Sequence, residues 1–274
     1  MSLTWTDMQK KRLQGAEENV PWWVNDKLRL HKFCADAELP MPKIYATWNH
    51  PGDIDLASAP DQFVLKPSVM HSAWGVMVLE RLPGTGEFRE SLSGRVLSAE
   101  TIIKEQIAVY ERCKYKGSYK IFTEERVTDE TLDGGVPYDY KVFCYYDRAM
   151  MVQQINRNVS PKQFAWFDGD FEPLVAADHI ESDWTQIEAG PHVKPHEWAR
   201  MLEVAVAATR LLKTPFMSVD MFNSNRGPLI GELTPAPGGP YYGDWYRFTP
   251  EYNQELGEAW LRAQTELERD QESR

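Results

Sequence analysis

Residues 215–244, PFMSVDMFNSNRGPLIGELTPAPGGPYYGD, constrain the fold more tightly than any other stretch of the chain. Two strand-like runs, 216–222 and 228–233, flank the turn-forming sequence Asn223-Ser224-Asn225-Arg226-Gly227. Side chains alternate along a strand, so Phe216, Ser218, Asp220 and Phe222 share one face. By the same rule Ile230, Glu232 and Thr234 share one face of the second run. Closing the hairpin places Asp220 opposite or diagonal to Glu232. Directly opposed residues of an antiparallel pair have Cβ atoms about 4.5–5.5 Å apart, where like charges repel. Either full solvation or a shared hard cation relieves that repulsion. Mg²⁺ is such a cation, since it takes carboxylate oxygens and bridges them to nucleotide phosphates.

A chain of 274 residues, 42% of them hydrophobic, can bury one large core or two modest ones. It holds no apolar run of about 18 residues, so no membrane-spanning segment is expected. The basic residues near the start precede no apolar run, which argues against a secretory leader. Cys34, Cys113 and Cys144 are scattered without a CxxC pair, which favours a reducing, cytoplasmic setting and disfavours a zinc site. A net charge of −11 argues against nonspecific binding to nucleic acid or anionic membrane, but not against a nucleotide held by a few placed lysines. Much of the acidity lies in a charged, helix-like stretch at residues 255–274.

Ahead of the hairpin, residues 1–25 read as a packed segment ending in Val20-Pro21-Trp22-Trp23. Asn25 or Asp26 caps a helix carrying Leu30, Phe33, Cys34 and Ala37 at helical spacing. Strands are expected at 43–48, 63–66 and 76–80, with a small-residue loop, 68–75, between the last two. Residues 83–94 read as loop, and Ser98 caps an amphipathic helix to about Arg112. Further strands are expected at 120–127, 138–146 and 149–157, the second with Asp139, Lys141, Phe143 and Tyr145 on one face. Residues 158–190 read as irregular, and Pro195 opens a helix to about Lys213. The order suggests an α+β protein of two lobes, with a βαβ-rich first half.

In this order the pieces resemble the ATP-grasp superfamily, most closely its TupA-like branch. The resemblance rests on Asp26-Lys27 opening a helix, FVLKP with Lys66, TEERV, PYDYKVF with Lys141, Arg157, VDMF with Asp220, and GELTPAPGG with Glu232. It covers roughly residues 25–260 and implies ATP between two α+β lobes, with Mg²⁺ on the second. It also implies an N-terminal segment and helix (1–60), a first lobe with a phosphate-covering loop (61–125) and a second lobe with the metal and catalytic face (126–274). On this resemblance, the N-terminal domain that precedes the fold in many relatives is expected to be reduced or absent.

The resemblance assigns Mg²⁺ to Asp220 and Glu232 and the transferred phosphoryl group to Lys141 and Arg157. Such cations suit phosphoryl transfer, which is catalysed chiefly by positioning and charge neutralisation. Lys66 would reach the α- and β-phosphates beneath a loop containing Ser68, His71, Ser72 and Gly75. Lys27 lies in a first helical turn, where the macrodipole disfavours a cation, and a nearby phosphate or plain solvation accounts for it. Glu124, Glu125, Val127 and Glu130 lie where the family holds adenine and ribose. Adjacent strand residues face opposite ways, so only one of Glu124 and Glu125 reaches the nucleotide. Two departures stand out: the covering loop has a single glycine, and Thr234 stands where many relatives carry an asparagine ligand.

The implied activity is an ATP- and Mg²⁺-dependent carboxylate–amine ligase, working through an acyl phosphate. The TupA-like branch is associated with adding amino acids or peptides to cell-surface polymers. A kinase and a nucleotide-binding protein without turnover are the alternatives. A glycan- or peptide-binding module leaves the ordered lysines unexplained. The carboxylate and amine substrates stay open, and a homodimer is compatible with the sequence. The acceptor pocket could come from the aromatic run Tyr241-Tyr242-Gly243-Asp244-Trp245-Tyr246, from residues 158–190 or from a partner subunit.

Overall fold

The computed structural model describes residues 3–70, 74–129, 132 and 135–273. The chain opens with helix α1 (Trp5–Leu13), capped by a reciprocal Thr4–Asp7 box. Helix α2 (Lys27–Asp36) starts at Asp26, whose carboxylate accepts the amides of Leu28 and Arg29. Strands β1 (Ile44–Trp48), β2 (Gln62–Pro67), β3 (Met77–Arg81), β4 (Glu87–Glu90) and β5 (Val96–Ser98) follow. Ser98 then caps α3 (Ala99–Arg112), and β6 (Ile121–Glu125) completes a first sheet ordered β1-β6-β2-β3-β4-β5.

Every pairing in this sheet is antiparallel. The expected βαβ-rich first half is therefore corrected, because α3 returns the chain to a slot between β1 and β2 rather than beside β5. Residues 83–94 are likewise not all loop. β4 has one apolar inward residue, Phe88, too little for a sequence signal, and its pairing with β3 makes it a strand. Phe63, Leu65, Leu79, Phe88 and Ile102 bury one face of the sheet against α3. The opposite face of β2 and β6 carries Lys66 and Glu124.

The second lobe begins with β7 (Asp139–Tyr145), β8 (Arg148–Asn156) and β9 (Lys162–Asp168). A short turn of helix, α4 (Ala176–His179), leads to β10 (Ile180–Glu181) and β11 (Ile187–Ala189). Helix α5 (Trp198–Leu211), the hairpin β12 (Met217–Phe222) and β13 (Leu229–Thr234), β14 (Arg247–Phe248) and α6 (Pro250–Glu272) complete the chain. The large sheet runs β11-β9-β8-β7-β12-β13. The expectation of irregular chain over 158–190 is overturned. β9 is apolar on both faces, with Phe164 and Trp166 in one core and Phe167 in the other, so it shows no alternation. Helix α5 starts three residues after Pro195, at Trp198.

One face of this sheet packs under α5 through Met201, Ala205 and Ala208, together with Leu30 and Cys34 of α2. At one end of the other face, Phe143, Tyr145 and Phe216 pack with Trp5 of α1 and Trp260 of α6. Tyr246 and partly buried Tyr241 and Trp245 belong to that aromatic core. At the other end the same face carries Asp139, Lys141, Asp220 and Glu232.

Candidate active site

Hydrogen-bond register sets the second lobe's charged face. Asp220 pairs directly with Glu232 on one side and with Lys141 on the other. A bulge follows, so that Met221 pairs with Ile230. Ile230 consequently joins Val219, Met221 and Leu233 in the core and does not share a face with Glu232, correcting the simple alternation. The bulge residue is Gly231, where an added Cβ would lie 2.5 Å from Phe222.

Four side chains form one charged relay in which the two aspartates are buried and the two cations partly exposed. Lys141 Nζ donates to Asp220 and lies 3.6 Å from Asp139 Oδ2. Arg157 Nη2 donates to the same Asp139 oxygen at 2.6 Å. Burial alone would raise Asp139, but Lys141 and Arg157 outweigh it and hold the carboxyl below the usual carboxylate range. Asp220 goes the other way. Burial, with Asp139 and Glu232 nearby, pushes it up to about 7 against the pull of Lys141. Burial opposes the charge on Lys141, yet its two aspartates raise its affinity for the proton.

The first lobe contributes a second relay. Lys66 Nζ reaches Glu124 Oε1 at 2.5 Å, and His31 Nε2 lies 3.2 Å from Glu124 Oε2. Burial pushes Glu124 up, but Lys66 and His31 overcome that effect and hold it below the ordinary range. Lys27 links the lobes. Its Nζ donates to Met70 O at 2.7 Å and lies 3.6 Å from Glu232 Oε1. Its backbone amide donates to Ser68 O at 2.9 Å. Helix α2 thus sets Lys27 and His31, four residues apart, along the line where the lobes meet.

The remaining sequence candidates divide. Ser68 is buried and spends its hydroxyl within the lobe, accepting from Lys120 N at 3.0 Å. Gly75 has φ +77° and packs on α3, its carbonyl accepting from Gln106. Glu125 points away from Glu124 and binds Arg226 at 2.6 Å, leaving Glu124 as the member of that pair beside Lys66. Val127 lies half-buried just after β6. His71, Ser72 and Glu130 lie outside the described residues. Sequence reasoning missed His31 as the partner of Glu124, although its i,i+4 relation to Lys27 is a usable signal. It also gave no role to Asp139, which had been placed on the face of Lys141.

The donor chemistry fits a divalent cation shared with a nucleotide. Asp220 and Glu232 offer hard carboxylate oxygens, and Asp139 Oδ1 is buried without a hydrogen-bond partner. Among the described residues, no group of three or more His, Cys, Asp or Glu side chains could hold a metal by itself. Mg²⁺ held here would therefore take part of its coordination from phosphate oxygens, with Lys141 giving up Asp220. The lysines facing the lobe junction have the charge that a polyphosphate requires.

The family model for TupA-like ATP-grasp proteins matches residues 3–261. A search of curated proteins returns no match. Among solved structures, the D-alanine–D-alanine ligase of Bacillus anthracis complexed with ATP is similar at TM-score 0.50 and 14% identity, over 89% of this chain and 66% of that one. A second structure of that ligase gives 0.51 and 12%, over 90% and 69%. The ATP-grasp ligase PsnB complexed with its minimal precursor gives 0.46 and 12%, over 88% and 60%. The chain thus spans about 60% of the length of PsnB. At these identities the likeness concerns the fold. No helix among the described residues is long and apolar enough to cross a membrane.

Proposed function

Because this chain belongs to the TupA-like ATP-grasp family, we propose that it is an ATP- and Mg²⁺-dependent carboxylate–amine ligase. The observation that carries the reading is the direct register of Asp220 with Glu232 and Lys141, on a chain that matches the family almost throughout. When bound, Mg²⁺ would neutralise phosphate charge and orient the polyphosphate. Lys66 and Lys27, at the lobe junction, hold the nucleotide's phosphates. Lys141 and Arg157 stabilise the transferred group, tied together through Asp139. An oxygen of the substrate carboxylate attacks the γ-phosphorus, forming an O–P bond as the bond to the ADP oxygen breaks. The amine nitrogen then attacks the carbonyl carbon, phosphate leaves, and the amine's proton passes to solvent.

The branch's association with cell-surface polymers makes an amino acid or peptide the first substrates to try, and a cytoplasmic precursor the natural acceptor. The test is calorimetric binding of AMPPNP, with and without Mg²⁺, to the wild type, Asp220→Ala and Lys66→Ala. Each variant is first checked for folding by its Tm. Tight, magnesium-enhanced binding to the wild type that both substitutions weaken is the expected result. A folded wild type that ignores AMPPNP would overturn the ligase reading.

A further inference from the structure

Glu124 is a buried carboxylate held by two groups of different kinds. Lys66 Nζ lies 2.5 Å from one of its oxygens and His31 Nε2 lies 3.2 Å from the other. The side chains of Lys66, Glu124 and His31 are 11%, 7% and 9% exposed, so water does little to balance their charges. The Phe122 ring borders both partners, 5.4 Å from Lys66 Nζ and 5.8 Å from the imidazole. Against the burial that would raise it, Lys66 and His31 keep Glu124 below its ordinary range, so the carboxyl is ionised. An ionised carboxylate only accepts. Nε2 of His31 therefore carries a hydrogen, and Nδ1 is the nitrogen that can gain or lose one.

Phosphate upsets the balance of this relay. In the ligase reading Lys66 also holds the nucleotide's phosphates, so one positive charge must serve two anions. A buried carboxylate deprived of its cation is strongly disfavoured. His31 is placed to answer. The charged groups facing it are Glu124 of β6, Lys66 of β2 and, one turn back on α2, Lys27. Glu232 of β13 lies beyond Lys27, and β1 brings uncharged Ile44 opposite Glu124. Lys27 cannot take over the carboxylate, because its Nζ is spent on Met70 O and Glu232.

We propose that His31 is neutral while Lys66 occupies Glu124, and becomes its counter-cation when phosphate oxygens claim Lys66. A proton from solvent bonds to Nδ1, and the resulting imidazolium holds the carboxylate through Nε2. The proposal rests on the ligase reading only in placing phosphates beside Lys66. His31 acts through Glu124 and is a positioning residue, keeping that carboxylate paired while Lys66 is engaged elsewhere. The complex then binds one proton more than the free protein. Nucleotide affinity accordingly rises as pH falls through the range where the ring titrates, by up to about tenfold per pH unit.

The experiment records nitrogen NMR spectra of isotopically labelled histidine rings at about pH 7.5, where a free imidazole is mostly neutral. Loss of signals in His31→Gln identifies those of His31, and each variant is first checked for folding by its Tm. The free protein should show a neutral His31 ring with its hydrogen on Nε2, and the protein saturated with Mg²⁺ and AMPPNP should show the imidazolium. Calorimetry in two buffers of different ionisation enthalpy should find about one proton more taken up by the wild type than by His31→Gln. Protons exchanged by AMPPNP, Asp220 or the other histidines are common to both proteins and cancel. His31→Arg supplies a permanent cation, so it should bind AMPPNP at about pH 8.5 at least as tightly as the wild type. An imidazolium already present in the free protein, a ring still neutral in the complex, or equal proton uptake in His31→Gln would each overturn the proposal. A folded wild type that ignores AMPPNP would instead remove the ligase reading. Lys66→Met then decides without nucleotide, since it vacates the carboxylate directly: an imidazolium there supports the role of His31, and a neutral ring overturns it.

Discussion

Lys66 is bound twice over, to a carboxylate of its own lobe and, in the proposed reaction, to phosphate. The two roles predict different outcomes. Lys66→Met strands Glu124, a buried carboxylate, with His31 as its remaining ionisable partner, and should cost about 3–5 kcal/mol in urea unfolding. Adding Glu124→Gln removes the stranded charge and should restore most of that loss without restoring AMPPNP affinity. Recovery of both would make Lys66 purely structural. The pH dependence follows from the signs of the shifts. Glu124 and Asp139 are held below their ordinary values of 4.5 and 3.8, so the stability they add is present above those values and lost on acidification. Asp220 is raised from 3.8 to about 7, so the metal-free folded state holds a proton that the unfolded chain has released. Its contribution therefore falls as pH rises between about 4 and 7. Asp220→Asn should flatten Tm against pH across that window in Mg²⁺-free buffer, and an unchanged slope would refute the assignment.

Elements were legible in the sequence where local and tertiary demands agree. Helices α2 and α3 announce themselves by caps at Asp26 and Ser98 and by one apolar stripe each. Ser98→Ala should accordingly cost about 1 kcal/mol in thermal or urea unfolding. β9 stayed hidden because Phe164, Ala165, Trp166 and Phe167 are buried on both faces, which erases the period on which a strand reading depends. β4 stayed hidden because its pairing with β3 and β5, and not its own sequence, makes it a strand. The candidate site shows the same division. Alternation alone brought Asp220 to Glu232 and Lys141 to the face of Asp139. The bulge at Gly231 had one local sign, a lone glycine inside a strand, but its register is set by pairing across the hairpin. The bulge has its own test, since a methyl group at Gly231 would meet the Phe222 ring at 2.5 Å and force one strand to shift. Gly231→Ala should cost about 1–3 kcal/mol and weaken Mg²⁺-dependent AMPPNP binding more than binding without the metal. Equal weakening of both would mean that the bulge does not hold the Asp220–Glu232 register.

On the scale of the whole molecule, the hairpin that bears Asp220 and Glu232 is anchored from both ends of the chain through one buried arginine. Arg12 of α1 is fully buried, paired with Glu17 through two nitrogens, and lies 4.4 Å from the Trp260 ring of α6. It also donates to Phe216 O at 2.9 Å and Pro235 O at 2.7 Å, the residues just before β12 and just after β13. Phe216 in turn stacks on Trp260 at 4.3 Å. Removing the guanidinium leaves two carbonyls and a carboxylate short of donors in a closed core, a loss of about 3–5 kcal/mol. Its distribution is more telling than its size. If α1, α6 and the hairpin form one cooperative unit, Arg12→Ala should speed amide hydrogen exchange together in residues 5–13, 217–222 and 250–263. Residues 63–65 of the first sheet pack in a separate core and should keep their protection. AMPPNP binding should then weaken chiefly in its Mg²⁺-dependent part, because the disturbed carboxylates lie on the hairpin and Lys66 does not. Faster exchange confined to α1 would show that the helix is only docked on the hairpin, and that the site's geometry is set within the second sheet alone.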